Sequence, residues 1–180
     1  MEIKQAVLIS IRPKWCKKII SGEKKVEVRK TRPSLAVPFR CYVYCTRGKP
    51  DLNIPITQER LMRDYLDTGS MRMMNCPSGN GKIIGEFVCH HVTNLFANSR
   101  FWLSEEDVLH TCLNSSEIQK YSDGAEGLYG WHISDVRIYD VPRELSELVG
   151  LKILKDGYEV STIERPPQSW RYVAEMQGGK

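Results

Sequence analysis

The eight residues Gly22–Arg29 constrain the fold more than any other stretch, because a helix stop leads directly into an alternating strand. Strand side chains alternate with a period of two, so Val26 and Val28 are expected to face the core. The predicted charged face consists of Lys25, Glu27 and Arg29, with Lys24 at the turn into the strand. The segment therefore predicts an amine, a carboxylate and a guanidinium held together on a rigid element, where they could meet an anionic or amide-bearing ligand.

The elements around this segment predict an α+β protein. A first strand over residues 3–11 precedes a helix with Pro13 in its first turn and an apolar stripe that includes Trp15. Further strands are predicted at Phe39–Thr46, Lys82–Val92 and Leu128–Tyr139, and short helices at Ser104, at Ser115 or Ser116, and at Pro142–Leu148. A hairpin turn is predicted at Lys155–Tyr158. Five or more strands interrupted by short helices favour a small mixed β-barrel with short flanking helices.

The spacing Gly-x-Lys-x-x-Glu-x-Arg resembles the signature of the ASCH domain, a branch of the PUA-like β-barrel superfamily. Gly22, Lys24, Glu27 and Arg29 match it position for position. Further matches, in chain order, are Leu8–Pro13 followed by Trp15, Gly81–Phe87, Tyr129–Ile133 and Arg165–Trp170. These segments resemble prophage-type ASCH proteins in particular, and they cover most of the chain. The resemblance implies a PUA-like barrel but no single activity, because ASCH proteins do not share one.

The same resemblance implies a chemistry for Lys24. ASCH amidohydrolases that act on N4-acetylcytidine are thought to use a lysine at the matching position. In those enzymes a threonine stands two positions before the motif arginine, where this chain has Glu27. A carboxylate cannot replace a hydroxyl nucleophile, although it can act as a general base for water.

Length and composition predict one cytoplasmic domain. A chain of 180 residues suits a single ASCH/PUA-like domain over 1–180, with an insertion at about 50–80 and a C-terminal extension from about 150. Thr57 is expected to cap a helix in the insertion. The chain has no signal-peptide pattern and no apolar run long enough to cross a bilayer, so no membrane partner is expected. Six cysteines without a Cys-x-x-Cys pair indicate reduced, packed thiols.

No cofactor or metal is predicted. The chain lacks a Walker loop, a dinucleotide fingerprint and a Gly-x-Ser-x-Gly elbow. Metal-ligand residue types do occur at Cys89, His90, His91, His110 and Cys112. Adjacent histidines on a strand should point to opposite faces, which argues against one tetrahedral site.

The charge distribution favours an anionic partner. Residues 1–50 carry thirteen lysines and arginines against three acids, a net +10, whereas the remainder carries thirteen against nineteen, a net −6. A basic segment around the motif is what a polyanion-binding cleft requires. A solvated surface whose charges serve solubility is the alternative interpretation.

These observations lead to one primary hypothesis and two rivals. The primary hypothesis is an RNA- or nucleotide-binding cleft, with Arg12, Trp15, Lys24 and Arg29 as the ligand-binding residues. The first rival is a hydrolase of the same fold, an N4-acetylcytidine-type amidohydrolase or a ribonuclease, with Lys24 and Glu27 as catalytic residues. The second is a protein-interaction adaptor that uses the insertion. Additional candidates are Tyr129, Trp131 and His132 for stacking or hydrogen bonding, and Glu86 as a second carboxylate.

Overall fold

A computed structural model describes residues 3–69, 76–97, 100–101, 105–125 and 127–176. The strands are β1 (Gln5–Ile11), β2 (Val26–Arg29), β3 (Phe39–Cys45), β4 (Lys82–Asn94), β5 (Phe96–Ala97), β6 (Arg100–Phe101), β7 (Tyr129–Arg143), β8 (Val149–Leu154), β9 (Gly157–Thr162) and β10 (Trp170–Ala174). The helices are α1 (Pro13–Ile20), α2 (Gln58–Thr68), α3 (Glu105–Thr111) and α4 (Ser115–Ser122), with a 3-10 turn at Leu145–Glu147.

Eight of the strands form one mixed sheet in the order β2-β7-β4-β3-β1-β10-β8-β9. The pair β1–β3 is parallel and the other ladders of this sheet are antiparallel. Among the described residues no ladder joins the edge strands β2 and β9, so the sheet is barrel-like without being closed. The predicted α+β class is therefore confirmed, and β5 and β6 form a separate two-stranded ribbon.

Alternation along β1 and β3 buries apolar side chains on both faces of the sheet. Val7, Ile9 and Ile11 belong to the larger core cluster, which also receives Cys16 and Ile19 from α1. Ala6 and Leu8 belong to a second cluster on the opposite face. Cys41 and Cys45 lie on one face of β3, in the larger cluster, and all six cysteines are free.

The motif strand enters the sheet as its sequence predicts, except at one position. Pro13 occupies the first turn of α1, and Gly22 at φ 75° lets the chain leave the helix in the left-handed region. All four residues of β2 are buried. Lys25, by contrast, precedes β2 and is exposed, so it does not join Glu27 and Arg29 in the buried charge cluster. Lys24 takes that place because its side chain folds back from the turn under the strand.

β-Bulges change the direction of side chains along the two longest strands, β4 and β7. The β4–β7 ladder shifts register between Ile83 and Gly85, between Glu86 and Val88, and between Cys89 and His91. At Gly85 the backbone of Arg137 approaches so closely that a Cβ atom would overlap its carbonyl oxygen. A glycine is therefore required there by packing rather than by backbone conformation.

One sequence prediction about the second half of the chain is wrong, and one strand there was missed. Pro142 lies in β7, which stays paired with β4 as far as Arg143, so the predicted helix shrinks to the 3-10 turn. Strand β10 was not predicted, although it pairs with β1 near the middle of the sheet. The predicted N-cap at Thr57 and the hairpin between β8 and β9 are confirmed. Ser104, the predicted start of a short helix, lies outside the described residues.

No helix in the described part of the chain is long and apolar enough to cross a membrane.

Candidate functional site

A cavity of about 400 Å³ opens where α1, β2 and α4 meet the end of β1. Its lining includes all five residues singled out from the sequence, Arg12, Trp15, Lys24, Glu27 and Arg29, together with Tyr121. The tertiary structure thus brings the predicted site residues together. The side chains differ sharply in exposure, because the three ionisable motif residues form the floor and Arg12 lies exposed at the rim.

The floor is a buried cluster of three charges. Lys24, Glu27 and Arg29 are 3%, 6% and 8% exposed. Glu27 Oε1 lies 2.9 Å from Arg29 Nη2, and Glu27 Oε2 lies 3.2 Å from Lys24 Nζ. One carboxylate therefore faces two cations, which leaves a net positive charge beneath the cavity.

The Lys24 ammonium is held on all sides. It donates hydrogen bonds to the carbonyl oxygens of Val26, at 3.0 Å, and of Thr111, at 2.7 Å, and it faces Glu27 as its third neighbour. An ammonium has three protons, and the two carbonyl oxygens account for two of them, while Glu27 Oε2 balances the charge without a directed hydrogen bond. Thr111 is the last residue of α3, so that helix end is fastened to the floor of the cavity.

Arg29 ties the motif strand to distant parts of the chain. Its Nη2 donates to the Ser10 carbonyl at 2.7 Å, and its Nη1 lies 3.4 Å from Ser169 Oγ. Its Nε is buried without a hydrogen-bond partner among the described residues. A buried donor left unpaired is costly.

Glu27 also has unused hydrogen-bonding capacity. Although Lys24 Nζ lies 3.2 Å from Oε2, the contact lacks hydrogen-bond alignment, and no described group donates to this oxygen. The pair is thus held by charge rather than by a directed bond. Together, Glu27 Oε2 and Arg29 Nε place one free acceptor and one free donor in the floor.

Two aromatic rings line the cavity above the charged floor. Trp15 has Lys14 Nζ 4.1 Å and Lys24 Nζ 5.2 Å from its ring centroid. Tyr121, near the end of α4, has Lys30 Nζ at 5.6 Å. Burial raises the pKa of Tyr121; the neighbouring Arg29 acts in the opposite direction and Glu27 reinforces the rise. The phenol is therefore neutral at physiological pH.

Sequence reasoning missed Tyr121, Thr111 and Ser10. Tyr121 lies 92 positions after Arg29 in the chain, and no local pattern connects the end of α4 to the motif. Thr111 and Ser10 contribute main-chain oxygens, which any residue type could supply. Their roles depend on where the backbone runs, and that is not encoded in a short motif.

The additional candidates lie elsewhere. Trp131 is fully buried in the core, with its ring centroid 5.7 Å from Phe39 and 5.9 Å from Trp170, so it cannot stack on a ligand. Tyr129 is partly buried against the same core cluster and does not line the cavity. Glu86 belongs to a separate network, where it pairs with Arg40 and accepts a hydrogen bond from Tyr139 at 2.5 Å.

The histidines form a cluster outside the cavity. The rings of His90 and His91 lie 5.9 and 5.1 Å from that of His132, because the bulge between Cys89 and His91 cancels the expected alternation. The predicted opposite facing of the two adjacent histidines is therefore wrong. Within the described residues, no group of three or more histidine, cysteine or acidic side chains is placed to hold a metal ion.

Comparison with solved structures identifies the fold. The chain is 18% identical to the ASCH protein of Zymomonas mobilis, with a TM-score of 0.57 over 94% of this chain and 88% of that one. A serine-to-alanine mutant of the same protein gives the same TM-score and identity over 94% and 89%. A tyrosine-to-phenylalanine mutant gives a TM-score of 0.50 over 96% and 92%, again at 18% identity. No protein-family model and no curated protein matches the chain.

The protein is thus an α+β protein with one mixed eight-stranded sheet and a charged cavity at one end of it. Its fold is that of an ASCH domain.

Proposed function

We propose that this ASCH domain binds RNA or a nucleotide-like ligand in the cavity above Lys24, Glu27 and Arg29. The observation that carries the proposal is a net-positive buried charge cluster at the floor of an open cavity of about 400 Å³. Burying three ionisable groups is expensive, and an apolar core of the same volume would serve stability as well or better. A cluster of this kind beneath a cavity is typical of a binding site.

The chemistry of the lining suits a nucleotide. Arg12 and Lys14 at the rim offer positive charge to phosphate oxygens, and Trp15 and Tyr121 offer ring faces to a base. Glu27 and Arg29 lie buried beneath these groups and supply charge rather than direct contacts to the base. Lys24 and Arg29 contribute mainly by giving the buried cluster beneath the cavity a net positive charge.

Salt dependence of RNA binding tests the proposal. The affinity for a fluorescent single-stranded RNA should fall steeply as salt rises, because bound phosphates release counterions. The variant Arg12→Gln should bind more weakly and should lower the slope of log K against log salt by about 0.7, the value for one phosphate contact on a single strand. Lys155→Gln, at the exposed turn between β8 and β9, is the matched control. Salt-independent or absent binding of both structured and single-stranded RNA would refute the proposal.

A hydrolase of the same fold is the second candidate, and the unpaired Glu27 Oε2 is the observation in its favour. A carboxylate oxygen with no donor could accept a proton from water, next to the Lys24 amine. We prefer binding to hydrolysis because the Lys24 ammonium already donates hydrogen bonds to two carbonyl oxygens and lies beside the Glu27 carboxylate. Turnover of N4-acetylcytidine or labelled RNA that is lost in a folded Glu27→Gln variant would establish the hydrolase. Turnover that this variant leaves unchanged would exclude the assigned mechanism.

We further propose that residues 1–180 act as one cytoplasmic domain, with residues 50–80 as an insertion. One sheet contains strands from Gln5 to Ala174, which supports a single domain. All six thiols are free, which supports a cytoplasmic location. Limited proteolysis should therefore cleave within the insertion before it separates the two halves of the chain.

A further inference from the structure

A second, larger cavity of about 750 Å³ adjoins the candidate site. The two cavities share three wall residues, Ser10, Thr46 and Gln168, and therefore lie side by side; together they are called the groove. The second cavity continues past this shared wall toward Arg47 and Arg165. A groove of this kind can hold a ligand considerably longer than a single nucleotide.

The groove lies where it does because β1 and β3 run parallel. Their carboxyl ends are neighbours, so Arg12 after β1 and Thr46 and Arg47 after β3 emerge at the same edge of the sheet. The segment before β10 completes the wall, since Ser10 Oγ donates to the Pro167 carbonyl at 2.6 Å and the Ser10 amide donates to the Ser169 carbonyl at 2.9 Å. The shared wall is therefore fixed by hydrogen bonds to the end of a central strand.

The two arginines of the second cavity have no charged or hydrogen-bonding partner in the part of the chain that the structure describes. Arg47 and Arg165 are exposed, and within the described residues neither guanidinium forms an ion pair or a hydrogen bond. Of the two acids in the same lining, Glu144 is paired with Lys82, whereas Glu164 adjoins Arg165 in sequence. Hydroxyl groups of Tyr44, Ser146 and Thr162 complete the polar lining.

We propose that this second cavity is a phosphate subsite, in which Arg47 and Arg165 bind the backbone of nucleotides that adjoin the one held above Lys24. The ligand is then a single-stranded oligonucleotide rather than a free nucleotide. The inference rests on the proposed function. Guanidinium groups match phosphate oxygens with two parallel hydrogen bonds, and a groove lined by separated cations follows an unpaired backbone without reading its sequence.

The affinity for uridine oligomers of one, two, four and eight nucleotides tests this subsite by fluorescence anisotropy. We expect affinity to rise about tenfold from one nucleotide to four and to level off beyond, because the added phosphates reach the second cavity. The double variant Arg47→Gln/Arg165→Gln should lose this gain and should lower the salt slope for the tetramer by about 1.4, as for two phosphate contacts. Its binding of the mononucleotide should stay at the wild-type value.

Lys152→Gln/Lys155→Gln is the control, since it also removes two positive charges, but from the β8–β9 hairpin, away from both cavities. Equal loss in the control and in the arginine variant would mean that net charge, and not the subsite, is responsible. Equal affinity for one and four nucleotides, with Arg12→Gln still weakening both, would overturn the subsite and leave the first cavity intact. Absence of binding at every length would overturn the proposed function and this inference together.

Discussion

At the scale of single residues, the neighbours Lys24 and Lys25 have different environments, since Lys24 is buried and Lys25 is exposed. Lys24 is 3% exposed and contacts two carbonyl oxygens and a carboxylate. Lys25 is exposed, and its backbone amide bonds to the His110 carbonyl at 3.0 Å. The pair is a natural control for the charge cluster, because both residues are lysines and they are neighbours in the chain.

Replacing Lys24 by methionine should lower the free energy of unfolding by about 3–5 kcal/mol. The substitution keeps the length of the side chain but leaves Glu27 with one cation and two buried carbonyl oxygens without a donor. Lys25→Met should change stability by less than about 0.5 kcal/mol, since it removes only an exposed charge. Urea unfolding followed by tryptophan fluorescence measures both, and equal effects in the two variants would contradict the buried cluster.

At the scale of secondary-structure elements, the contact between β4 and β7 determines where the side chains near the bulges point. The bulges bring the two strands together at Gly85, which lies against the Arg137 backbone. A carbonyl oxygen in a paired strand cannot move away without breaking its ladder. The same close approach would not matter if the obstacle were a flexible side chain.

Gly85→Ala should therefore destabilise the protein by about 1–3 kcal/mol, as expected for overpacking. Gly150→Ala is the matched control, because the added methyl group would meet side-chain atoms only: the far end of Arg171, which can rotate away, and Ser161 Oγ at 3.1 Å. We expect the Tm of the control in a thermal scan to lie within a few degrees of the wild-type Tm. A Gly85→Ala protein as stable as Gly150→Ala would show that the strands can separate freely.

At the scale of the whole molecule, the histidine cluster links stability to pH. Burial lowers the pKa of His132, and His91, His90 and His110 lower it further, while Asp107 acts in the opposite direction. His110 and Asp107 belong to α3, whose last residue holds the Lys24 ammonium. The three rings from β4 and β7 therefore sit beside the helix that is fastened to the floor of the cavity.

Stability should fall as pH drops from about 7.5 to 5.5. The pKa of His132 is lower in the folded state than its ordinary value of 6.5, so the unfolded chain binds more protons in this range and the stabilising contribution is lost. His132→Gln should flatten this part of the pH profile. Between pH 7.5 and 9 its free energy of unfolding should differ from that of the wild type by a constant amount. Carboxyl groups titrate below the measured range, and a wild-type profile flat from 7.5 to 5.5 would refute the assignment.

Local patterns alone predicted α1, β2, β3 and the charged motif. A proline at the first turn, a glycine at φ 75° and alternating valines are signals carried by a few consecutive residues. They do not depend on the rest of the chain, so they could be recognised from the sequence. The same independence explains why Arg12, Trp15, Lys24, Glu27 and Arg29 could be named together, since all lie within one helix and its flanking strands.

Only the tertiary structure determined what surrounds these residues. Strand β10 pairs with β1 across more than 150 positions of sequence, Tyr121 enters the cavity from α4, and the Thr111 carbonyl binds Lys24 from α3. Such contacts are made between segments that carry no mutual signal, and bulges in β4 and β7 shift side chains that strict alternation would place elsewhere. The sequence by itself determined which charges meet at the motif strand, whereas packing of distant segments decided that they would be buried beneath a groove.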